Sequence, residues 1–421
     1  MNHISFIDST YTFLGSLSLF LTCFVSYVLT RSIFSPAVIF PLTWAVALLF
    51  ISCVTPFLGF YQITSWAVVV FVIGGFLFAV VSCTVIRTFN VRDRHIFMTL
   101  DDIDYARVVK LFYIGVLLSS PIVIATLLNY GDDVVQIASR IRYERIHGEG
   151  NVTPSIVQNW FLFAFFLIFI IFAGVLKRQI KLYVVILPII LTLILYLFLE
   201  GRSSLIMQAF AWLYLMVHIN KGIRVKDIVS VTIFLILFIV LGSFFVAKVK
   251  VNELTLTQEF VLYLRHILSY LYQGPILFSQ YFDGSITVRE NWDALNNIFH
   301  ILKNFGLYSG DISQHADFRR FGYGEDDVGN VYSIYFSVLP HYTYIGACFF
   351  IMLYSAISTF FYKLSTFGGV FSLYVSGILF SSSILSVFLD GFGYLVYFFI
   401  KAFVFYVLIY LFFNKRVCFK L

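Results

Sequence analysis

The chain of 421 residues is 60% hydrophobic and 20% aromatic, with 12% charged residues, against about 25% charged in ordinary soluble domains. A soluble fold of this size could not cover so much apolar surface, so the composition marks an integral membrane protein. The excess of 28 Lys and Arg over 22 Asp and Glu is too small for nucleic-acid binding as a main role. Cys23, Cys53, Cys83, Cys348 and Cys418 are scattered without a CxxC pair, which predicts neither a disulfide framework nor a cysteine metal site.

In chain order, runs without charge lie near 10–30, 36–56, 63–86, 108–128, 157–176, 182–199, 203–219, 228–247, 340–361, 370–389 and 393–413. Each approaches the roughly 20 residues that cross a bilayer as a helix, and an open sheet cannot satisfy its backbone in lipid. The expected fold is therefore all-α: a polytopic membrane helix bundle of about eleven transmembrane helices, one integral membrane domain over 1–421. The first run has no Lys or Arg before it and no small-residue cleavage pattern, so it reads as a retained span. With the N-terminus outside and the C-terminus inside, the inner segments hold 16 basic and 5 acidic residues and the outer ones 11 and 17, as basic retention on the inner side requires. Lys401 alone lies within a span; it calls for a polar partner in the bundle and reads as structural. Two outer loops are long, 129–156 and 248–339, and both are too rich in Tyr, Phe, Leu and Ile for disorder. The Asn151-Val152-Thr153 sequon lies too near a span to carry weight.

Several polar residues stand where charge meets the membrane. Glu200-Gly201-Arg202 joins two short spans, a pattern that can hold its turn in a protein-lined cavity. Arg202 there offers a five-donor fork for phosphate, or else pairs with Glu200 or reaches headgroups. The large loop opens with capping-box spacing at Thr255 and Gln258, then Phe260, Val261, Leu264, Ile267, Leu268 and Leu271 in an apolar stripe. This predicts a helix lying on the membrane surface, with Arg265 at the stripe's edge and Tyr263, His266 and Tyr270 on another face. Those aromatic and imidazole side chains suit sugar contact, and equally suit an interfacial belt. Further on come Asp311 to His315, Arg319-Arg320 and Glu325-Asp326-Asp327; their spacing fits no metal-ligand pattern, so solvated loop charge is expected.

The turn Glu200-Gly201-Arg202-Ser203-Ser204, the segment Tyr272-Gln273-Gly274-Pro275-Ile276-Leu277-Phe278, and Gly329-Asn330-Val331-Tyr332-Ser333 followed by Tyr344-Ile345-Gly346 together resemble the Wzy-type oligosaccharide repeat-unit polymerases, or O-antigen polymerases, of bacterial envelope synthesis. The likeness in architecture covers the whole chain, and that in motifs about 180–350. The related O-antigen ligases carry His directly before the Asn; here Gly329 stands there, which favours polymerase over ligase. The resemblance implies a metal-independent glycosyltransferase without cofactor at the periplasmic face of the inner membrane. Its donor and acceptor would be undecaprenyl-diphosphate-linked oligosaccharides, and its partners membrane lipid, a chain-length regulator and a flippase.

On that reading Arg202 and Arg265 hold the diphosphate, with Arg289, Arg319 and Arg320 in reserve. His315 or His341 assists the acceptor hydroxyl, unless His341 is merely interfacial. Glu200, Tyr263, His266, Asn330 and Tyr332 line the substrate site. With Gly329 replacing His, leaving-group stabilisation is expected to outweigh a protein base. The alternatives are an O-antigen ligase or a lipid-linked oligosaccharide flippase. A flippase needs intramembrane charge, and the spans apart from Lys401 are almost charge-free. A metal-dependent lipid-linked glycosyltransferase is disfavoured because 57–62 contains no carboxylate, and a membrane acyltransferase because no early intramembrane His is present.

Overall fold

The computed structural model describes residues 6–89, 98–131, 136–137, 140–141, 154–199, 203–222, 229, 256–282, 284, 293–310, 312, 318–324, 327–394 and 396–415. Its helices are α1 (Phe6–Thr30), α2 (Pro36–Leu58), α3 (Ser65–Thr88), α4 (Tyr105–Leu128), α5 (Ser155–Leu176), α6 (Leu182–Leu199), α7 (Ser203–Asn220), α8 (Leu256–Phe282), α9 (Asn296–Asn304), α10 (Ile334–Ser365), α11 (Val370–Leu385), α12 (Gly391–Tyr394) and α13 (Val396–Phe413). The described strands are β1 (Arg319–Arg320) and β2 (Val328–Gly329), an antiparallel pair with Arg319 opposite Gly329. Among the described residues α1, α2, α3, α4, α5, α10 and α13 are long and apolar enough to cross a membrane. Shorter apolar stretches occupy Leu182–Leu197 and Val370–Leu385. The chain is thus an all-α polytopic membrane protein; the expected span at 228–247 lies outside the described residues.

By contact the chain divides into two compact units: Met1–Asn90, Glu253–Lys363 and Ser382–Tyr397 form the first, and Val91–Asn252, Leu364–Ser381 and Phe398–Leu421 the second. In the second unit α5 is central, with Phe165 to Ile171 all buried, because a helix apolar on every side must be surrounded. Association in lipid relies on close packing and interhelical hydrogen bonds. Accordingly Gly377 of α11 lies against Ala211 of α7, and the Ser381 hydroxyl donates to Met207 O at 2.6 Å. The Ser376 hydroxyl donates to Tyr214 at 2.9 Å. One end of this unit gathers segments that the charge pattern assigns to a single side. Lys177 pairs with Asp101 at 2.7 Å, Asp104 N donates to Phe413 O at 2.9 Å, and Val370 N donates to Met98 O at 3.0 Å.

The first unit is built on α1, α2 and α3 with an aromatic core. Phe40 stacks on Phe78 at 4.1 Å, and the Trp44 ring lies 4.5 Å from Phe71 and 4.8 Å from Tyr335. Such pairs add about 0.5–1.5 kcal/mol each beyond their buried area. Its helices α8 and α10 come from the late part of the chain, and two expectations about them change. The helix that opens the large loop runs on past the expected stripe to Phe282, and there Tyr272, Gln273, Ile276, Phe278 and Ser279 are buried, while Leu271 at the stripe's end is 39% exposed. Polar and apolar side chains share this buried second half of the helix. Secondly, α10 starts at Ile334 rather than near 340. Pro340 therefore sits within it, and the helix is broken at Thr343, where φ is 61° and ψ 179°. Pro removes a backbone donor and crowds the preceding turn, and a β-branched residue in that region is strained by about 1–3 kcal/mol.

Candidate functional site

The site forms at one end of the first unit, opposite the turn where the Tyr362 hydroxyl donates to Ser32 at 2.9 Å. After α2 ends at Gly59, the chain runs alongside the hairpin: Tyr323 N donates to Gly59 O and Tyr61 N to Phe321 O, both at 3.0 Å. This seats the Phe60 ring 5.3 Å from Phe321 and 5.6 Å from Tyr272. Arg265 of α8 spreads its guanidinium over Phe60, with Cζ 5.4 Å from the ring centroid. Its Nη2 donates to Asp327 Oδ2 at 2.7 Å, and Gly324 N donates to the same oxygen at 2.8 Å. Arg265 Nε is buried and has no hydrogen-bond partner among the described residues. Asp327 is 5% exposed, so it is a buried counter-ion and not the solvated loop charge expected from its acidic neighbours.

Two sequence elements far apart in the chain meet beside this pair. A Cβ on Gly274 would stand 2.0 Å from Val387 O and 3.1 Å from Ser333 N, and one on Gly329 would stand 2.2 Å from Gln273 Oε1. Only glycine lets α8 approach the turn after α11 and the start of α10 so closely. Any side chain at 329 would have to displace the Gln273 amide. Around this junction the Tyr272 hydroxyl, Gln273 Oε1 and the Ser333 hydroxyl are buried without a hydrogen-bond partner among the described residues. Native interiors leave few such groups unmatched, so this cluster has spare capacity for a hydroxyl-rich ligand.

A second cluster surrounds the first turns of α10. Asp293 Oδ1 accepts from Leu295 N at 2.7 Å and from the Tyr342 hydroxyl, while Oδ2 lies 4.0 Å from His341 Nδ1. Asp390 Oδ2 accepts from the Ser337 hydroxyl at 2.6 Å, and its Oδ1 from Phe392 N at 3.1 Å and Gly393 N at 3.0 Å. Asp390 is fully enclosed, and burial pushes its carboxyl up to about 6, with nearby Asp293 adding to the rise and the three donors opposing it. A carboxyl whose folded pKa is raised binds extra protons in the native state, so stability falls as pH rises from about 4 to about 6. Asp390→Asn can accept the same two amides without charge. It is expected to flatten that slope, removing up to about 3 kcal/mol of pH dependence for a two-unit shift. Thermal melts of the purified protein at pH 4.5 and 7 check this; equal slopes in the two proteins would contradict it.

Of the residues expected at a site, Arg202, Glu200, His315 and Arg289 lie outside the described residues. Tyr263 and His266 are on α8, and nothing is described of their side chains. Arg319 and Arg320 form β1; Arg320 is exposed, and its carbonyl accepts from Gln280 Nε2 at 2.9 Å. Asn330 is exposed, whereas Tyr332 is half-buried with its ring 4.4 Å from Phe336. His341 is half-buried beside Asp293. Sequence reasoning missed Asp293 and Asp390, and it took Asp327 for solvated loop charge. For Asp390 a signal existed: apart from Lys401 it is the sole charged residue between Lys363 and Lys415. Among the described residues no group of three or more His, Cys, Asp or Glu could hold a metal ion. Compared with protein-family models, with curated proteins and with solved structures, the chain matches none.

Proposed function

We propose that this protein is a metal-independent glycosyltransferase that polymerises undecaprenyl-diphosphate-linked oligosaccharide repeat units at the periplasmic face of a bacterial inner membrane. The observation that carries the reading is the meeting of Gly274 with Ser333 and of Gln273 with Gly329 next to Arg265. These are the segments that resemble the O-antigen polymerases, and they adjoin a cation suited to a diphosphate. The reaction moves the growing glycan from its carrier onto the terminal sugar of a new unit. Charge develops on the departing diphosphate, where fixed cations lower the barrier most. Arg265 takes that role, with Arg319 and Arg320 guiding the anion, and the sequence resemblance adds Arg202 and Arg289 as further candidates. Tyr272, Gln273, Asn330 and Tyr332 address sugar hydroxyls. Eleven spans, with loops 129–156 and 248–339 facing outward, bring both lipid-linked substrates to one side.

Two measurements test this. Alkaline-phosphatase fusions after residues 150 and 300 should be active, and fusions after 100, 225 and 421 inactive. In a deletion strain, envelope polysaccharide on a gel should show lipid A core capped with a single repeat, restored to long polymer by the gene. Uncapped core with polymer held on the carrier identifies a ligase instead, and absence of surface repeats a flippase.

A further inference from the structure

The second cluster has the geometry of an oriented base. The Asp293 carboxylate is anchored through Oδ1 by Leu295 N and the Tyr342 hydroxyl, which leaves Oδ2 directed toward His341 Nδ1 at 4.0 Å. That is about 1 Å longer than a hydrogen bond, and such contacts commonly tighten only when substrate is bound. The far nitrogen, His341 Nε2, is buried and has no hydrogen-bond partner among the described residues. A carboxylate on Nδ1 selects the tautomer whose Nε2 carries a free lone pair. The ring is carried by the turn just before the strained joint at Thr343, a position where backbone strain often accompanies function. It lies eight residues beyond Ser333, roughly 12 Å along the helix at 1.5 Å per residue.

We propose that His341 is the general base of the transfer and Asp293 its positioning residue. The inference rests on the polymerase reading. His341 Nε2 takes the proton of the acceptor hydroxyl as that oxygen forms its bond to the donor's anomeric carbon. The bond from that carbon to the carrier diphosphate breaks, and the electron pair leaves with the diphosphate. The imidazolium then returns its proton to solvent. Gly329 thus moves the base to another part of the site, in place of removing it from the reaction. The titratable groups around the ring are Asp293 from the segment before α9 and Tyr342 on the same helix. Tyr308, Tyr354 and Asp390 stand behind them.

The test uses the purified full-length protein in lipid nanodiscs with defined undecaprenyl-diphosphate-linked repeat units, following glycan length with time. Wild-type protein should extend the units, with a rate that rises tenfold per pH unit on the acidic side and then levels. His341→Gln, which keeps polarity but not basicity, should lower kcat by about 10²–10⁴-fold with little change in KM, and the acidic limb should vanish. Asp293→Asn should lower kcat less and keep the limb, shifted to lower pH because the imidazolium loses its counter-ion. His341→Gln at wild-type rate, or at a reduced rate with the limb retained, would overturn the dyad while leaving the polymerase reading intact. No extension by wild-type protein would overturn the reading and the dyad with it.

Discussion

Gly274→Ala is expected to lower the melting temperature of the purified protein by roughly 3–4 °C, about 3 kcal/mol divided by an unfolding entropy of about 2.1 cal/mol/K per residue over 421 residues. The added methyl would meet Val387 O at 2.0 Å and Ser333 N at 3.1 Å, and both obstacles are backbone. Neither can yield cheaply. Ile334 N donates to Ser386 O at 2.9 Å, and Trp44 Nε1 to the Ser386 hydroxyl at 3.0 Å, so shifting either segment breaks bonds in the aromatic core. Overpacking ordinarily costs about 1–3 kcal/mol, and tied backbone places this case at the upper end. Gly222→Ala, with nothing within 4 Å of its new methyl, is the control and should stay within about 0.5 kcal/mol. Equal melting of the two variants would mean that α8 does not press on that turn.

Arg265→Ala is expected to abolish polymer and also to destabilise the protein, and the two effects can be separated. Losing the guanidinium leaves Asp327, 7% exposed in its side chain, buried without its cation. Breaking a buried pair from one side costs about 3–5 kcal/mol; with Arg265 itself 32% exposed, the lower figure applies. Removing the stranded carboxylate as well, in Arg265→Ala with Asp327→Ala, should recover most of the stability, as a double-mutant cycle reveals for a direct contact. On the proposed function polymer should nevertheless remain absent, because the fork proposed to hold diphosphate is still missing. Arg265→Lys keeps the charge but not the planar fork, and should restore polymer only in part. Full polymer from the double variant would reduce Arg265 to a pin that fastens the hairpin to α8.

Helices were legible because lipid leaves a charge-free run few options. The runs at 182–199 and 203–219 are helices as expected, α6 (Leu182–Leu199) and α7 (Ser203–Asn220), though neither is among the seven described helices long and apolar enough to cross a membrane. Hydropathy could not reveal which loop residues fold inward. Nothing in the run Glu325-Asp326-Asp327 tells from sequence that the hairpin turns Asp327 beneath Gly324 N and toward Arg265. Gly274 and Gly329 stood out as parts of motifs, yet their reason lies in backbone segments that approach only after folding. Asp293 carried no local signal at all: its partners Tyr342 and His341 arrive from another helix.

The first unit is assembled from three separate stretches of chain, ending with Ser382–Tyr397, and this bears on its order of birth. During synthesis α1, α2 and α3 leave the ribosome long before their closing partners exist. Phe71 waits for Phe278 and Tyr335, and the Trp44 indole for Ser386. Contacts of such long sequence separation form slowly. In the interim the nascent helices must be sheltered by lipid or by the insertion machinery, with a polar indole N–H facing hydrocarbon. A nascent chain halted before residue 382 therefore holds an unfinished first unit, however well its early spans are inserted. The site, which draws on α8, the hairpin, α10 and the turn at 386–393, is the last part of that unit to be completed.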